Sequence, residues 1–285
     1  MTRDARCRLA LGYRFQLDPF IRRNSAQIDA LEITIDHYLS ASSSQRRTLR
    51  ELRSHFHIVS HGVGLSLGSA GPVDRSYLFD ISDPLRLLAV EYYSEHLAFT
   101  GLPGRELATL LPVPKREDVI SHVVQKILEV KKIVPLPFLL ENIVNYFEYP
   151  DSEMSESAFL SSVCTRSGAK ILLDVENLYA NEMNNGVSAT GFVDELPEGM
   201  IRAVHVAGGE WQDGLYFDDH GHSVPDEVLD LLAYVLDRHN PDTVILERDR
   251  RFGELDEIAN DLKRIRGLVD RHNIQVDRDV VEVSA

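Results

Sequence analysis

Histidine, acidic and asparagine side chains recur where short apolar segments of the chain end. Six segments show this pattern: FHIVSH, EYYSEH, LPFLLEN, KILLDVEN, RAVHV and TVILERD. Their polar residues are His61, Glu95, His96, Glu141, Asn142, Asp174, Glu176, Asn177, His205, Glu247 and Asp249. Imidazole and carboxylate ligands without thiolate favour iron, manganese or zinc over calcium or a sulfur-bound cluster. The residue types therefore predict a site for several metal ions.

Each of these residues has an ordinary structural explanation when it is taken alone. A carboxylate at the end of a strand commonly caps the next helix or forms half of an ion pair. Capping does not easily explain six segments that share the pattern, three of which supply a histidine. Charged groups gathered in one small volume would also repel one another unless cations lay between them. The joint pattern is therefore what supports the metal-site prediction.

Two further segments contain residues that could do chemistry. The segment FDDHGHS adds Asp218, His220 and His222 as candidate ligands. The segment HGVGLSLGS, from His61 to Ser69, has a glycine spacing similar to a dinucleotide-binding fingerprint. However, it follows the third predicted strand, and no convincing acidic partner for a ribose follows a second strand. We therefore interpret its glycines as letting the backbone pass close to the metal site.

Short β-branched or aromatic segments alternate with amphipathic stretches along the chain. We predict strands at Leu9–Arg14, Ala30–Ile35, Phe56–His61, Leu88–Tyr93, Leu136–Glu141, Lys170–Asp174, Arg202–Val206 and Thr243–Glu247. We predict helices at Arg116–Lys132, Ser155–Ser167, Pro225–His239 and Leu255–His272. The segment Ala70–Arg86 is predicted to be an extended loop.

Eight strands alternating with helices over 285 residues predict an α/β fold with a single (β/α)8 TIM barrel. A doubly wound parallel sheet is the alternative. In a barrel the C-terminal ends of the strands meet on one face, so the polar strand ends should converge there. No Pro-, Gly- or Ser-rich linker divides the chain. We expect one domain over residues 1–276 and a flexible acidic tail over residues 277–285.

Other polar residues fall outside the candidate ligand set. Glu32 and Asp36, at the end of the second predicted strand, are expected to orient ligands rather than to bind a metal. Five further histidines are assigned to the surface or to packing. They are His55, His57, His122, His239 and His272.

Composition excludes several classes of protein. The net charge of −15, from 45 acidic and 30 basic residues, argues against a nucleic-acid partner, which would need a basic face. Two cysteines, Cys7 and Cys164, cannot build a disulfide framework or a zinc ribbon. No signal-type segment or membrane-spanning stretch is recognisable, so we expect a cytoplasmic protein without a membrane partner.

Longer blocks of sequence resemble a known enzyme family. HGVGLSLGS, SEHLAFTG, FLLENI, LLDVENLYANEMNNG, HVAG and DDHG resemble blocks of the multinuclear non-haem iron-dependent oxidative enzymes. These are relatives of the methanobactin-biosynthesis iron enzyme and of the enzyme that excises a cysteinyl β-carbon in thiaglutamate biosynthesis. The resemblance runs in order from about Leu9 to about Asp249. It implies a xylose-isomerase-like barrel.

The resemblance also implies a ligand set and a chemistry. The implied metal ligands are His61, His96, Glu141, Asp174, Asn177, His205, Asp218, His220 and Glu247. Glu141 would bridge two ions, and Asn177, Asp218 and His220 would form the outermost site. The implied catalytic residues are Glu141, Asp174 and His205. The neighbours left outside the ligand set are Glu95, Glu176 and His222.

By the same resemblance the cofactor is two or three iron ions, as mixed Fe(II) and Fe(III), with dioxygen as cosubstrate. The substrate would be a cysteine residue of a ribosomally made precursor peptide, modified for example by β-carbon excision or heterocycle formation. A small partner protein would present the leader part of that peptide.

Three departures from the family pattern bear on the substrate. Gly209 stands where many relatives have a histidine, and Arg248 replaces an aromatic residue. Asp36-His37-Tyr38 replaces the usual ENY after the second strand. None of them removes an implied ligand.

Two other functions remain open from the sequence. A sugar isomerase or phosphodiesterase on a related barrel would use manganese or zinc without a redox change. A metal-storing or peptide-binding protein would have no enzymatic activity. Iron content, oxygen consumption and turnover of a cysteine-containing peptide distinguish these possibilities.

Overall fold

A closed parallel barrel forms the centre of the protein in the computed structural model, which describes residues 6–102 and 105–283. The strands of the described residues are β1 (Arg8–Tyr13), β2 (Ala30–Thr34), β3 (His57–Gly62), β4 (Tyr93–His96), β5 (Phe99–Leu102), β6 (Arg105–Leu111), β7 (Phe138–Glu141), β8 (Lys170–Asp174), β9 (Ile201–Val206), β10 (Glu210–Gln212), β11 (Leu215–Phe217) and β12 (Thr243–Leu246). The barrel follows the order β1, β2, β3, β4, β7, β8, β9 and β12, which pairs again with β1. The other four strands form two antiparallel hairpins, β5–β6 and β10–β11.

Helices alternate with the barrel strands. They are α1 (Asp18–Arg23), α2 (Ser43–Arg53), α3 (Arg75–Leu88), α4 (Glu117–Ile133), α5 (Glu156–Ser167), α6 (Val175–Asn185), α7 (Ala189–Glu195), α8 (Asp226–Arg238) and α9 (Leu255–Val283). Local sequence sets many of their ends. Ser155 accepts a hydrogen bond from the third residue of α5, and Gly168 ends that helix in the left-handed conformation.

An apolar layer fills the lower part of the barrel. It takes one residue from each barrel strand or its edge: Ala10, Ala30, Val59, Tyr92, Leu139, Leu172, Ala203 and Ile245. Alternate side chains of a strand share a face, so the residue two positions later points into the barrel as well. Those residues are Gly12, Glu32, His61, Ser94, Glu141, Asp174, His205 and Glu247. The apolar layer is thus the floor beneath a polar layer that strand register alone brings together.

The predicted single (β/α)8 barrel is confirmed, and two predicted elements are wrong. The fourth strand is Tyr93–His96 rather than Leu88–Tyr93, because Leu88 ends α3 and Ala89 follows with a φ of 48°. The predicted loop Ala70–Arg86 is largely α3, which Asp74 caps through the backbone N–H groups of Ser76 and Tyr77. Pro84 lies inside this helix, where its missing N–H removes one backbone hydrogen bond.

Helix α9 continues to Val283, so residues 277–283 of the predicted flexible tail are helical, and residues 284–285 lie outside the described residues. Among the described residues, no helix combines the length and the apolar character needed to cross a membrane.

Candidate metal centre

Glu141 lies between two groups of potential ligands at the C-terminal end of the barrel. Its Oε2 is 3.5 Å from Nε2 of His61 and 3.5 Å from Nε2 of His96. Its Oε1 is 2.8 Å from Nδ1 of His205. Parallel pairing of β4 with β7 sets His96 directly beside Glu141. The first group, His61, His96 and Glu141, could hold one metal ion.

The second group shares Glu141 with the first. It consists of Glu141, Asp174, His205 and Glu247, whose potential ligand atoms lie within 4.8 Å of one another. All four side chains are buried. Nε2 of His205 lies 2.9 Å from Oε2 of Glu32, so Glu32 fixes the orientation of this imidazole from its far side. That contact is the orienting role expected of Glu32.

The third group lies at the outer end of the site. It consists of Glu176, Asp218 and His220. Nε2 of His220 is 2.5 Å from Oδ1 of Asp218, 3.1 Å from Oε2 of Glu176 and 3.6 Å from Oδ2 of Asp174. Nδ1 of the same ring is 3.3 Å from Oε2 of Glu247. His220 therefore links the third group to the second, and together with Glu247 and the exposed Asp249 it could also hold an ion.

Several buried polar atoms of this region make no hydrogen bond within the described part of the chain. They are Nδ1 of His96, Oε2 of Glu141, Oδ2 of Asp174, Oε2 of Glu176, Oδ1 of Asn177 and Nε2 of His220. A buried polar atom without a partner costs about 1–3 kcal/mol, so native proteins rarely leave several of them together. Bound metal ions would provide partners for these oxygen and nitrogen atoms. The residues present therefore fit a multinuclear metal centre.

The histidines differ in their protonation. Burial lowers the pKa of His61 to about 3, which keeps its imidazole neutral and able to bind a metal. Burial also disfavours the charged form of His205, but Glu32, Glu141 and Glu247 outweigh it and raise the pKa of His205 well above its usual value. A metal ion bound to His205 would take the place of that proton.

Asparagine side chains lock the ends of β7 and β8 together. Asn142 donates from Nδ2 to the carbonyl oxygen of Asp174 at 2.9 Å, and its Oδ1 accepts from the backbone N–H of Asp174 at 2.9 Å. One turn apart on α6, Asn177 and Asn181 donate to the carbonyl oxygens of Asn142 and Ile143, both at 3.0 Å. These bonds fix where Glu141 and Asp174 point. Sequence reasoning missed the role of Asn181, although the four-residue spacing of the asparagines on α6 signals it.

The loop that carries Asp218 and His220 is held from outside the barrel. Arg248 is fully buried and donates from Nη1 to the carbonyl oxygen of Gly221 at 2.6 Å. Its Nη2 lies 3.4 Å from Oδ2 of Asp261 on α9, and the same oxygen accepts from the backbone N–H of Val224 at 3.2 Å. The guanidinium of Arg248 therefore supports the loop that carries Asp218 and His220, and it is buried against α9.

Glu95 and Asp36, which were predicted to lie beside the metal ligands, are outside the three groups. Glu95 is buried and accepts at Oε1 from the hydroxyl of Tyr93 at 2.6 Å and from the hydroxyl of Tyr77 at 3.3 Å. Asp36 accepts from the hydroxyl of Tyr77 at 2.9 Å and from a backbone N–H. Asp36 thus contacts Tyr77 and the loop after β3 rather than orienting a candidate ligand as expected.

The glycines after His61 have a role different from the one the sequence suggested. A Cβ at Gly62 would lie 2.3 Å from the hydroxyl oxygen of Tyr93 and 2.4 Å from Oε1 of Glu95. A Cβ at Gly64 would lie 2.6 Å from the ring of Tyr77. These glycines therefore make room for the tyrosine–glutamate network, which lies beside the candidate ligands.

A wide cleft opens above the three groups, with a volume of about 2270 Å³. Its floor includes His61, His96, His220 and Glu247. Clefts that hold one small molecule measure roughly 300–1,000 Å³. The cleft is therefore large enough for a bigger molecule, such as a peptide segment, to reach the candidate metal-binding side chains from outside.

Residues 8–270 match the model of the family described as RiPP precursor modification enzyme MbnB/TglH/ChrH, where RiPP denotes a ribosomally synthesised and post-translationally modified peptide. A UPF0276 protein from Streptomyces avermitilis is 37% identical over 221 residues, which is 75% of this chain and 45% of that protein. A UPF0276 protein from Shewanella loihica is 32% identical over 262 residues, which is 91% of this chain and 94% of that protein.

A solved structure with a similar fold is D-psicose 3-epimerase from Clostridium cellulolyticum H10. It superposes with a TM-score of 0.58 and 14% sequence identity, covering 93% of this chain and 98% of that chain. At this identity the similarity establishes the fold alone. The fold is a (β/α)8 barrel of the xylose-isomerase type, as the sequence predicted.

Proposed function

Because the chain belongs to the RiPP precursor modification enzyme MbnB/TglH/ChrH family, we propose that it oxidises a cysteine residue of a precursor peptide with dioxygen. The cofactor would be two or three iron ions, as mixed Fe(II) and Fe(III). The product would be formed by a reaction such as β-carbon excision or heterocycle formation. The observation that supports this most is the overlap of three potential metal sites through Glu141 and His220.

The first two ions would be held by the first two groups, and the third by the ligands that the family resemblance implies. His61 and His96 would hold the first ion and Asp174, His205 and Glu247 the second, with Glu141 bridging them. Asn177, Asp218 and His220 would hold the third. Bound iron would supply redox chemistry toward dioxygen and lower the pKa of a substrate thiol.

The chain's own groups would orient the centre and keep water away from it. Glu32 holds the imidazole of His205 from the side opposite Glu141. The apolar floor of the barrel closes the site from below. Access is then limited to the cleft, so a substrate cysteine would approach between His96 and His220.

The cleft also supports a peptide substrate. Its rim includes the exposed apolar side chains Phe15, Leu39 and Val63, which are 73%, 36% and 42% exposed. Exposed apolar side chains beside a site are typical of surfaces that bind another chain. A small partner protein would dock outside the cleft and present the leader part of the peptide. We propose that the enzyme acts in the cytoplasm.

A redox-neutral sugar isomerase is the second candidate, because D-psicose 3-epimerase shares the fold. A single divalent ion between carboxylates and imidazoles serves such chemistry. The third group and the size of the cleft exceed what that reaction needs.

Metal analysis and oxygen uptake test the proposal. Protein purified without oxygen and reconstituted with ferrous iron should retain more than one iron per chain. It should then consume dioxygen in the presence of a cysteine-containing precursor peptide. Retention of only zinc or manganese, with no oxygen uptake, would contradict the proposal and favour the redox-neutral candidate.

A further inference from the structure

We propose that Glu176 is a ligand of the outermost metal ion, which is then held by two carboxylates and an imidazole: Glu176, Asp218 and His220. This inference rests on the proposed function only in requiring that an outermost ion is bound. It differs from the ligand set that the family resemblance implies, in which Glu176 is merely a neighbour.

The carboxylate of Glu176 is buried and points at the other two ligands. It is fully buried in the first turn of α6, and its Oε2 makes no hydrogen bond within the described residues. Oε2 lies 3.1 Å from Nε2 of His220, which in turn lies 2.5 Å from Oδ1 of Asp218. Ligand atoms placed about 2.0–2.2 Å from a tetrahedral ion such as zinc are separated by roughly 3.3–3.6 Å from one another. The three ligand atoms lie within 4.8 Å of one another, so small adjustments of the side chains would let one ion contact all three.

The second oxygen of this carboxylate is oriented by a separate set of contacts. Oε1 of Glu176 accepts from the hydroxyl of Tyr216 at 3.3 Å. That hydroxyl oxygen also accepts from the backbone N–H of Gly209 at 2.9 Å. The bond to Oε1 leaves Oε2 facing His220. Tyr216 thus acts as a positioning residue for the outermost site.

Gly209 provides the space that the Glu176 carboxylate occupies. A Cβ at position 209 would lie 2.5 Å from Oε1 of Glu176 and 2.1 Å from the carbonyl oxygen of Phe217. Any side chain at this position would displace the carboxylate or the β10–β11 hairpin. Glu176 can therefore hold its carboxylate in this position only because residue 209 is a glycine.

The carboxylate changes the charge of the outermost site. Glu176 and Asp218 together supply two negative charges, which balance one divalent cation, whereas a site with Asp218 and Asn177 would supply one. Two carboxylates beside one imidazole leave a net negative charge even when the imidazole is protonated, and that charge is costly to bury without a cation. We therefore expect Glu176 to decide whether the third ion is retained.

The test compares Glu176→Gln with Glu95→Gln in the full chain. Glu95 is a matched control, because it is also a buried glutamate beside a candidate ligand, but its Oε1 accepts from two tyrosine hydroxyls. Each protein is loaded without oxygen, in parallel, with ferrous iron or with zinc. The number of metal ions bound per chain is measured by elemental mass spectrometry. The 57Fe Mössbauer spectra of the iron-loaded proteins are also compared.

We expect the wild type and Glu95→Gln to retain one more ion per chain than Glu176→Gln, and Glu176→Gln to lose one iron component of the Mössbauer spectrum. Tyr216→Phe should weaken binding of the same ion by about 10–100-fold, as expected for loss of a bond to a ligand. This milder variant keeps the test informative if Glu176→Gln folds poorly. Equal metal content and unchanged spectra in Glu176→Gln and the wild type would overturn the inference.

The two metals separate this inference from the proposed function. If the wild type retains zinc but no iron, and Glu176→Gln loses one zinc, the ligand role of Glu176 is supported while the iron chemistry fails. If the wild type retains three irons and Glu176→Gln also retains three, the iron chemistry stands and the role of Glu176 is overturned.

Discussion

Oε1 of Glu141 lies 2.8 Å from Nδ1 of His205, and both side chains are buried in the barrel. The other oxygen of Glu141 makes no hydrogen bond within the described residues and faces His61 and His96. Burial alone would raise the pKa of Glu141, but His205, His96 and His61 lower it to about 2. One carboxylate, ionised at neutral pH, thus connects two potential metal sites.

Removing this carboxylate should affect two ions at once. We expect Glu141→Ala to lose most of its bound iron and all detectable turnover, and Asp174→Ala to do the same. The physical reason is that Glu141 would supply oxygen ligands to two ions, and Asp174 an oxygen ligand to one of them. Metal content and oxygen consumption measure both effects. Full iron and full turnover in both variants would exclude this ligand assignment.

Metal binding should release protons. Burial raises the pKa of Asp174, while for His205 and His220 nearby carboxylates outweigh burial and raise the pKa well above its usual value. The metal-free site therefore holds protons at neutral pH that a metal ion must displace, so affinity should rise with pH. Calorimetry of zinc binding in buffers of different ionisation enthalpy should show net proton release. Identical heats in all buffers would argue against displacement of these protons.

Arg248 should matter for stability as well as for the outermost ion. Arg248→Met leaves the carbonyl oxygen of Gly221 without its donor and removes one cation from buried Asp261. Breaking a buried ion pair costs 3–5 kcal/mol, and we expect about 3 kcal/mol because Arg264 still contacts Asp261. Urea unfolding measures the change. Arg238→Met is a control at a half-exposed ion pair and should change stability by less than about 1 kcal/mol.

Equal losses of stability in the two variants would show that the buried pair is no more important than a surface one. We also expect Arg248→Met to bind the outermost ion more weakly, since Asp218 and His220 lie on the loop that Arg248 supports. Unchanged binding of this ion in Arg248→Met would show that the loop keeps its position without Arg248.

Asn181 should support the site without touching a metal. Its Nδ2 donates to the carbonyl oxygen of Ile143 at 3.0 Å, and its Oδ1 accepts from the backbone N–H of Asn145 at 2.7 Å. Asn181→Ala would leave two buried backbone groups unpaired, at a cost of about 2 kcal/mol or more. Thermal unfolding checks this, with Asn240→Ala at an exposed position as the control. A melting temperature unchanged in Asn181→Ala would mean that water satisfies these groups.

The candidate site was predictable where strand register determines it. His61, Glu141, Asp174 and His205 each follow an apolar floor residue by two positions, so alternation along single strands already brings them to one layer. The fold was predictable because eight apolar segments alternate with helices along the chain.

Features that depend on contacts between distant segments were not predictable. The grouping of Glu176 with His220 arises from the loop after β11, whose path depends on Arg248 and on the left-handed conformation of His220, with a φ of 47°. The fourth strand was predicted too early, at Leu88–Tyr93, although Leu88 is the last residue of α3. Local sequence gives no signal for either arrangement.

The most direct test of the proposed chemistry is mass spectrometry of the peptide. Each cysteine-containing precursor peptide encoded beside the gene would be co-produced with the protein, in iron-replete cells grown with and without oxygen. We predict a mass change confined to a cysteine residue, present only with oxygen and absent with Glu141→Ala. Peptides of unchanged mass in the presence of iron-loaded protein and oxygen would contradict the account.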